Sequence, residues 1–532
     1  MMAAPIESLL NEICESEDPI EELKSLRTAV LATPVSGLRQ AVSGARLEII
    51  FGLLNTNDKE QIEVCVEILS RVLQALEPIQ LAQNYKTALQ SGLNHPNDSV
   101  KLLALTQMGR VAGHADGVTQ MLNSAEILRD VIQCISVERI AVAKEAIAAL
   151  SKLSNTKAGL DALFRSDLLN KLKDVMLTND IIRYRVYEVC DHLWMEGGIF
   201  MMDLSVIMCV CVCVQLIVEV STVSPVSLGY CANSGLISQM LEELTGDDVL
   251  VRATAIEMVT SLAQSQHGRQ YLAQQGIIDK ISNMIIAAES DPFSSLYLPG
   301  LVKFFGSLAI MDSPQQVCEK YPVFLEVVFS MAINLDPTLT PVALDTLGVL
   351  GRTVEGKQVL QKTGEKFTSV LKRMSKVAAD GATELRVRCL EALAQLLTLP
   401  VEQQTDDLLL LTESWFNCLS SQPMLMIRNI STQPFPELHC SALRIFTAIG
   451  CQSWAQQLMM DTPGFVEWVM DRSVGTGKEA KDCKFELVGA LLSSSSIQEI
   501  FGAHNYLKLK TYLNEGPYYV NAVSSVTTEG AD

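Results

Sequence analysis

The sequence predicts an all-α protein built as an α-solenoid, and three observations support this prediction. One apolar helical template recurs ten times along the 532 residues. A glycine follows several copies of the template at a fixed distance. Strand-like alternation with hairpin dipeptides is absent from the repeated part, and only 6% of the residues are aromatic. Helices that pack closely through Leu, Ala and Val account for all of these observations.

Each copy of the template has an anchor residue and a second apolar residue seven positions later. These two positions lie two turns apart on one face of a helix. The position four after the anchor is usually apolar too, as at Leu69 and Phe446. The anchors are Cys65, Ala104, Ala146, Val186, Ala255, Leu301, Ala343, Cys389, Ala442 and Phe485. The residues seven positions later are Val72, Val111, Leu153, Leu193, Leu262, Leu308, Leu350, Leu396, Ile449 and Leu492.

Four of the anchors are followed, thirteen residues later, by a glycine: Gly117, Gly159, Gly268 and Gly356. Such a glycine is typical of the turn that ends one helix and redirects the chain into the next. The segments HGRQYLAQQG and EGKQVLQKTG are two versions of the same unit. We therefore expect a further amphipathic helix after each of them.

Successive anchors are 39 to 53 residues apart, with one exception of 69. A period near 40–47 residues with helix pairs or triplets is the signature of armadillo and HEAT repeats. Because one repeat cannot bury its apolar face alone, neighbouring repeats stack. We predict a single continuous armadillo/HEAT-like array over residues 1–516, coiled into a curved right-handed superhelix. Residues 517–532 have too little apolar mass to fold alone, so we expect a flexible C-terminal tail.

The exceptional spacing contains an atypical insertion, Val189–Gln215, with the sequence VCDHLWMEGGIFMMDLSVIMCVCVCVQ. Removing its 27 residues restores the period, and Val220 then takes the place seven positions after the anchor Val186. Three interpretations compete: a transmembrane helix, a cysteine-rich metal or redox site, and a retained intron. The uninterrupted apolar part, Leu204–Val214, is shorter than the ~20 residues that a membrane span needs. The cysteines have no companion His/Cys cluster.

The intron hypothesis explains the composition of the insertion. A TG dinucleotide repeat encodes Cys-Val-Cys-Val in one frame. The segment begins with Val, whose codons start with GT, and ends with Gln, one of whose codons is CAG, as introns usually begin and end. We predict that sequencing transcripts across Glu188 and Leu216 will find a major form without these 27 codons. A major transcript that contains them in most tissues would contradict the hypothesis.

The charge balance excludes several classes of function. Lys and Arg number 41 against 61 Asp and Glu, which gives a net charge of −20. Binding to nucleic acid or to an anionic membrane requires a basic face, so we expect neither. The 14 cysteines lack paired zinc-ligand spacing and a disulfide framework, and the first residues lack the basic region of a signal peptide. We expect a reducing compartment, the cytoplasm or the nucleus.

No catalytic, cofactor-binding or metal-binding residues emerge from the sequence, so we predict that the chain is not an enzyme and uses no cofactor. The motifs HExxH and GxSxG are absent, and VGTGK at Val474–Lys478 lacks the spacing and the strand of a phosphate-binding loop. Lone histidines such as His95 are expected to be turn or cap residues. Three segments have more individual character: Asp291–Tyr321, Gln403–Ser431 and Gln433–Cys440. Each is either a connector within its own repeat or part of the rim of a partner groove.

Several segments resemble one family, the non-ATPase regulatory subunit 5 family of 26S proteasome assembly chaperones. The resemblance runs from about Glu21 to the C-terminus and departs at Val189–Gln215, which the family lacks. The segments that carry it are DPFSSLYLPGLVKFFGSLAIMDSPQQVCEKYP (Asp291–Pro322), VEGKQVLQKTG (Val354–Gly364), VEQQTDDLL (Val401–Leu409), QPFPELHC (Gln433–Cys440) and EGPYYV (Glu515–Val520).

The resemblance implies a chaperone for assembly of the base of the proteasome regulatory particle, released before the mature proteasome forms. Its implied partners are a base ATPase subunit and the large non-ATPase scaffolding subunit of the base. We expect a monomer whose anchor helices line a concave partner-binding face, but no individual contact residues are indicated. The alternative, on fold grounds alone, is a general scaffold or transport adaptor. A karyopherin-like adaptor would be expected to carry a Trp/Asn ladder, and the four Trp keep no repeat register.

Overall fold

A computed structural model describes the chain over residues 4–16, 18–42, 46–123, 125–137, 139–177, 216–334, 336–473 and 477–519. Within these ranges all regular structure is helical and no strand occurs. The prediction of an all-α protein is therefore confirmed. The anchor Val186, the insertion Val189–Gln215 and residues 520–532 lie outside the described residues.

Residues Met1–Ile277 form one compact unit. Besides a helical stretch at 216–223, its described α-helices are α1 (Ala4–Glu15), α2 (Ile20–Ala32), α3 (Val35–Val42), α4 (Glu48–Gly52), α5 (Lys59–Ala75), α6 (Pro78–Asn84), α7 (Lys86–Leu93), α8 (Asp98–Ala112), α9 (Ala115–Leu122), α10 (Ala125–Gln133), α11 (Ile140–Leu153), α12 (Lys157–Phe164), α13 (Leu168–Leu177), α14 (Pro225–Asn233), α15 (Leu236–Glu242), α16 (Val249–Leu262) and α17 (Gln266–Gln274).

Residues Ile278–Asp532 form the second compact unit. Its described α-helices, the first of which begins at the boundary, are α18 (Ile277–Ala288), α19 (Leu298–Met311), α20 (Pro314–Lys320), α21 (Pro322–Asn334), α22 (Thr340–Gly351), α23 (Val354–Lys362), α24 (Glu365–Asp380), α25 (Thr383–Leu397), α26 (Asp406–Leu419), α27 (Pro423–Ser431), α28 (Pro436–Ile449), α29 (Ser453–Asp461), α30 (Phe465–Met470), α31 (Lys478–Ser493) and α32 (Ile497–Glu515).

The repeat is a triplet of helices, and its first member carries the anchor residue. In one repeat of the second unit, the anchor helix is α22, the short α23 follows, and α24 completes the triplet. The anchor helices pack side by side: α22 lies between α19 and α25, and α28 lies between α25 and α31. The second helices stack likewise, with α23 against α20, and so do the third helices, with α24 against α21. In the first unit, α8 packs between α5 and α11.

The template identifies the core in eight of the nine anchor helices whose anchors the structure describes. In these eight, the anchor and the residue seven positions later are at most 4% exposed. In α31 the register is shifted by one, because Lys484 and Leu491 are buried while the predicted Phe485 and Leu492 are half-buried. This is the last anchor helix, and α32 packs on it in place of a further anchor helix.

The residues after the predicted insertion keep the repeat register that the sequence indicates. Val220 is buried, as expected for the place seven positions after Val186. Helix α14 packs against α12, and the Tyr230 hydroxyl donates to the Asp161 carboxylate between them. In the layer of second helices, α14, which begins at residue 225, therefore follows directly on α12, which ends at residue 164. The intron hypothesis itself stays a prediction.

The recurrent glycines have a different role from the predicted one. Gly159, Gly268 and Gly356 are each the third residue of a short second helix, so the prediction of a turn glycine was wrong there. Their N–H groups donate to the hydroxyl of the N-cap Thr or Ser at 3.0–3.1 Å. A Cβ at any of the three would overlap a carbonyl oxygen at the end of the preceding anchor helix, that of Leu153, Leu262 or Leu350. In the repeats of Gly268 and Gly356 the turn glycines are instead Gly276 and Gly364, with φ of 69° and 59°.

A buried lysine joins two adjacent anchor helices. Lys357 lies in α23, and its Nζ donates to the Gly351 carbonyl at the end of α22. The same Nζ donates to the carbonyls of Gln395, at 3.4 Å, and Leu396, at 2.8 Å, near the end of α25. The last carbonyls of a helix have no partner within it. Lys357 therefore satisfies orphan groups of both helices and fixes the spacing between two repeats.

Glutamines perform the same task further along the second unit. Gln456 Nε2 donates to the Gly450 carbonyl after α28, at 2.8 Å, and to the Leu491 carbonyl of α31, at 3.4 Å. Gln404 Nε2 donates to the carbonyls of Leu399 and Cys451, which follow α25 and α28. Each pair of neighbouring anchor helices from α22 to α31 is thus bridged by a side-chain donor.

Candidate partner-binding surface

The anchor helices of the second unit present one common face to solvent. Two residues after the anchor the helix has turned by about 200°, so this position lies opposite the core. The side chains at this position are all charged and at least partly exposed: Lys303, Asp345, Glu391 and Arg444. We call the exposed side of α19, α22, α25 and α28 the anchor face.

Ion pairs cross the anchor face from one helix to the next. Arg388 of α25 contacts Asp345 of α22 at 2.9 Å, and Arg444 of α28 contacts Glu391 of α25 at 2.7 Å. All four side chains are 40–52% exposed, and such pairs contribute at most about 1 kcal/mol each to stability. Their main consequence is therefore a surface of positioned charges of both signs.

A groove of about 510 Å³ lies between α25 and α28 on this face. The Glu391–Arg444 pair lies along it, and small or apolar side chains supply much of the remaining wall. Its lining residues are Glu391, Ala394, Gln395, Thr398, Leu399, Pro400, Arg444, Thr447, Ala448 and Cys451. The groove can accept a short apolar side chain while polar groups beside it orient the partner.

Most of the segment Asp291–Tyr321 is helix and core. It contains α19 and α20, and Phe304, Phe305 and Tyr321 are buried, with the Tyr321 hydroxyl donating to Asp279 at 2.7 Å. Three of its large apolar side chains are strongly exposed: Phe293 and Leu296 just before α19, and Ile310 near the end of α19. These three residues are the part of the segment that could lie at a rim.

The other two individual segments are also largely helical. Gln403–Ser431 contains the helices α26 and α27, with Trp415 buried against Phe367 at a ring distance of 4.9 Å. Gln433–Cys440 runs into α28, and its exposed aromatic is Phe435. These contacts support the connector interpretation for the buried parts, and a rim function for the exposed side chains stays a prediction.

The described cysteines behave as core residues. All ten are free thiols, and most are buried. Burial raises the pKa of Cys65, Cys231 and Cys318 to about 12, so these side chains stay protonated at neutral pH. Across the described ranges no group of three or more His, Cys, Asp or Glu side chains is placed to hold a metal ion. Nor does any described helix combine the length and apolarity needed to cross a membrane.

Two histidines connect neighbouring repeats through backbone groups. His95 Nδ1 accepts from the Asn97 N–H at 3.1 Å, so Nε2 carries the proton and donates to the Leu54 carbonyl at 3.1 Å. His267 Nε2 lies 2.8 Å from the Ser221 carbonyl. The expectation that such histidines are turn or cap residues is confirmed at these two positions.

Comparison with known protein families decides the membership of this chain. The family described as "Proteasome non-ATPase 26S subunit" matches residues 2–193 and 208–532. The chain belongs to this family. The 26S proteasome non-ATPase regulatory subunit 5 of Homo sapiens is 55% identical to it over 531 residues, and that of Bos taurus is 56% identical; each match covers 100% of both chains. The Drosophila melanogaster protein of the same name is 24% identical over 489 residues, which is 88% of this chain and 86% of the relative.

The family resemblance inferred from sequence is thereby confirmed. The match to the proteasome non-ATPase subunit family leaves residues 194–207 uncovered, and these fall inside the insertion Val189–Gln215. This gap lies where the sequence departs from the repeat period.

Two solved structures show the same architecture at low sequence identity. Importin beta has a TM-score of 0.55 and 12% identity, covering 92% of this chain and 57% of that chain. Kap121p has a TM-score of 0.53 and 13% identity, covering 94% of this chain and 52% of that chain. At this identity the likeness concerns the fold alone, and it confirms the helical solenoid that the repeat spacing predicts.

Proposed function

We propose that this chain is a non-enzymatic chaperone for assembly of the base of the 26S proteasome regulatory particle. It binds a base ATPase subunit together with the large non-ATPase scaffolding subunit, and it leaves before the mature proteasome forms. The 55–56% identity to regulatory subunit 5 of two mammals over the full length carries the proposal. The chain acts as a monomer without a cofactor, in the cytoplasm and the nucleus.

The anchor face is the surface through which the ATPase subunit is bound. It offers positioned charges of both signs and the α25/α28 groove of about 510 Å³. A stable interface of about 1,200–2,000 Å² needs contacts over several repeats rather than one deep pocket, and a solenoid face supplies them. A partner held over such an area is blocked sterically from docking early on the proteolytic core.

Net charge supports the encounter between the chain and its partners. At −20, the chain attracts a basic patch on a partner over distances up to the Debye length of about 10 Å. Steering of this kind raises the association rate more than the final affinity.

Affinity purification from cell lysate tests the proposal. The wild-type chain is expected to recover base ATPase subunits and the scaffolding subunit without core-particle subunits. The substitution Thr447→Arg puts a long cationic side chain into the α25/α28 groove next to Arg444. We expect it to reduce recovery of the ATPase subunit about tenfold, because loss of about 1.4 kcal/mol of binding free energy has this effect.

The matched control is Thr368→Arg on α24, a third helix of the repeat. Both threonines are half-buried, and both hydroxyls donate to the carbonyl four residues earlier, at 3.0 Å for Thr447 and 3.3 Å for Thr368. The control should recover the ATPase subunit as the wild type does. Recovery of intact, active proteasome would contradict the proposal. Recovery of unrelated cargo would favour the alternative of a general scaffold or transport adaptor.

A further inference from the structure

A second groove, of about 880 Å³, lies between α23 and α26. Both are second helices of their repeats, so this groove belongs to a different layer from the anchor face. It opens in the longest repeat of the second unit, since the anchors Cys389 and Ala442 are 53 residues apart. The extra residues form the 3₁₀ turn Val401–Gln403, and the following α26 packs against α24. The side of α23 that faces α26 therefore forms one wall of the groove.

The centre of the groove is apolar. Leu410 of α26 is 63% exposed, and Leu411 and Val354 beside it are half-buried. A single exposed leucine is normal on a protein surface, but an apolar strip shared by two facing helices is a feature of binding sites.

The floor of the groove is fixed before any partner arrives. The Trp415 Nε1–H of α26 donates to Gln361 Oε1 of α23 at 2.9 Å, which ties the two walls together. The Trp415 ring also packs edge-on against Phe367 of α24. A preformed groove avoids the ordering entropy that a flexible one would lose on binding.

The rim of the groove carries excess negative charge. Glu402 and Asp407 line it, and both are exposed. The lysine of the lining, Lys362, is paired with Glu319 at 3.4 Å, so its charge is largely compensated. The apolar strip is therefore flanked by two exposed carboxylates that form no ion pair with any described residue, and these favour a cationic ligand.

We propose that the α23/α26 groove is a second docking site, which takes an amphipathic helical segment of a partner protein with apolar side chains flanked by Lys or Arg. The apolar side chains lie along Leu410, Leu411 and Val354, and the cations lie at Glu402 and Asp407. Since this groove is in another layer from the anchor face, one chain can engage two partners without competition between them.

A defined peptide tests this site on the full-length chain. The probe is a fluorescent helical peptide of about 18 residues, with Leu at positions i, i+3, i+4 and i+7 and Lys on both flanks. Fluorescence anisotropy should show saturable binding to the wild type. The substitutions Leu410→Asp and Asp407→Lys should each raise the Kd at least about tenfold. A second peptide, with Glu in place of Lys, should bind the Asp407→Lys variant more tightly than it binds the wild-type chain.

Three comparisons make the outcome decisive. Leu425→Asp, at a leucine of α27 that is 47% exposed outside the groove, should bind the peptide as the wild type does. Thr447→Arg on the anchor face should also leave peptide binding unchanged, so this site and the proposed function can fail separately. The proposal is overturned if a peptide with the same residues in scrambled order binds equally well. It is also overturned if Asp407→Lys, with an unchanged circular dichroism spectrum, retains the wild-type Kd.

Discussion

Replacing Gly356 by alanine is expected to lower the free energy of unfolding by about 3 kcal/mol. Gly356 is the third residue of α23, and its N–H donates to Thr353 Oγ1 at 3.0 Å. A Cβ there would overlap the Leu350 carbonyl oxygen and lie 2.8 Å from its carbon. Because these atoms belong to the backbone of α22, they cannot rotate away as a flexible side chain can. The gain in helix propensity, about 1 kcal/mol, is too small to compensate.

The matched control is Gly489→Ala in α31. Outside the adjoining backbone of its own helix, the nearest described atom to a Cβ on Gly489 would be Cδ1 of Leu513, at 4.0 Å. This variant should be as stable as the wild type or more stable by up to about 1 kcal/mol. Urea unfolding followed by circular dichroism measures both variants. Equal unfolding midpoints for Gly356→Ala and Gly489→Ala would show that the close approach is not what requires glycine.

The glycine spacing shows what sequence periodicity can and cannot predict. The period correctly marks Gly159, Gly268 and Gly356 as equivalent, yet a recurrent glycine is equally compatible with a positive φ and with a close contact. The missed signal is local: Thr353 and the equivalent Thr156 and Ser265 stand three residues before each glycine, as N-cap residues do. An N-cap followed by glycine at the third helical position identifies a helix start, not a helix end.

The buried face of the array is predictable and the exposed face is not. Apolar side chains must recur every helical turn to form a core, so anchors such as Cys389 could be assigned from spacing alone. Solvent imposes no such period on Thr398 or Thr447, and the α25/α28 groove therefore has no sequence signature. The 53-residue spacing signalled an irregular repeat, but only packing shows that α26 lies against α24 and opens a groove beside α23.

Lys357 illustrates the same limit inside the core. A lysine in a short helix is expected at the surface. One signal was available in the sequence. Lys357 follows its anchor, Ala343, by fourteen residues, and long side chains that can donate hydrogen bonds follow the anchors Ala255 and Ala442 by the same distance. These residues are Arg269, which donates to the Ala263 carbonyl at 2.9 Å, and Gln456, which donates to the Gly450 carbonyl at 2.8 Å. The shared property is donation to the end of the anchor helix, which hydropathy does not reveal.

Replacing Lys357 by methionine is expected to lower the free energy of unfolding by about 3 kcal/mol at pH 9, and by only about 1 kcal/mol at pH 7. Methionine fills a similar volume but leaves the carbonyls of Gly351 and Leu396 without this donor. Urea unfolding of the wild type and the variant at both pH values measures the difference. The control Lys362→Met removes an exposed lysine from the same helix, paired with Glu319, and should change stability by less than about 1 kcal/mol at either pH.

The pH dependence follows from the burial of Lys357. Burial lowers the pKa of its amine from 10.5 to about 7. Between these values the unfolded chain holds the proton and the folded chain does not. The unfolded state therefore binds more protons, and the stabilisation by Lys357 grows as the pH rises from about 7 to 10.5. Below pH 7 both states are protonated and the contribution no longer changes. If the difference between wild type and Lys357→Met instead shrinks as the pH rises, the carbonyls hold the ammonium form, and burial does not control this lysine.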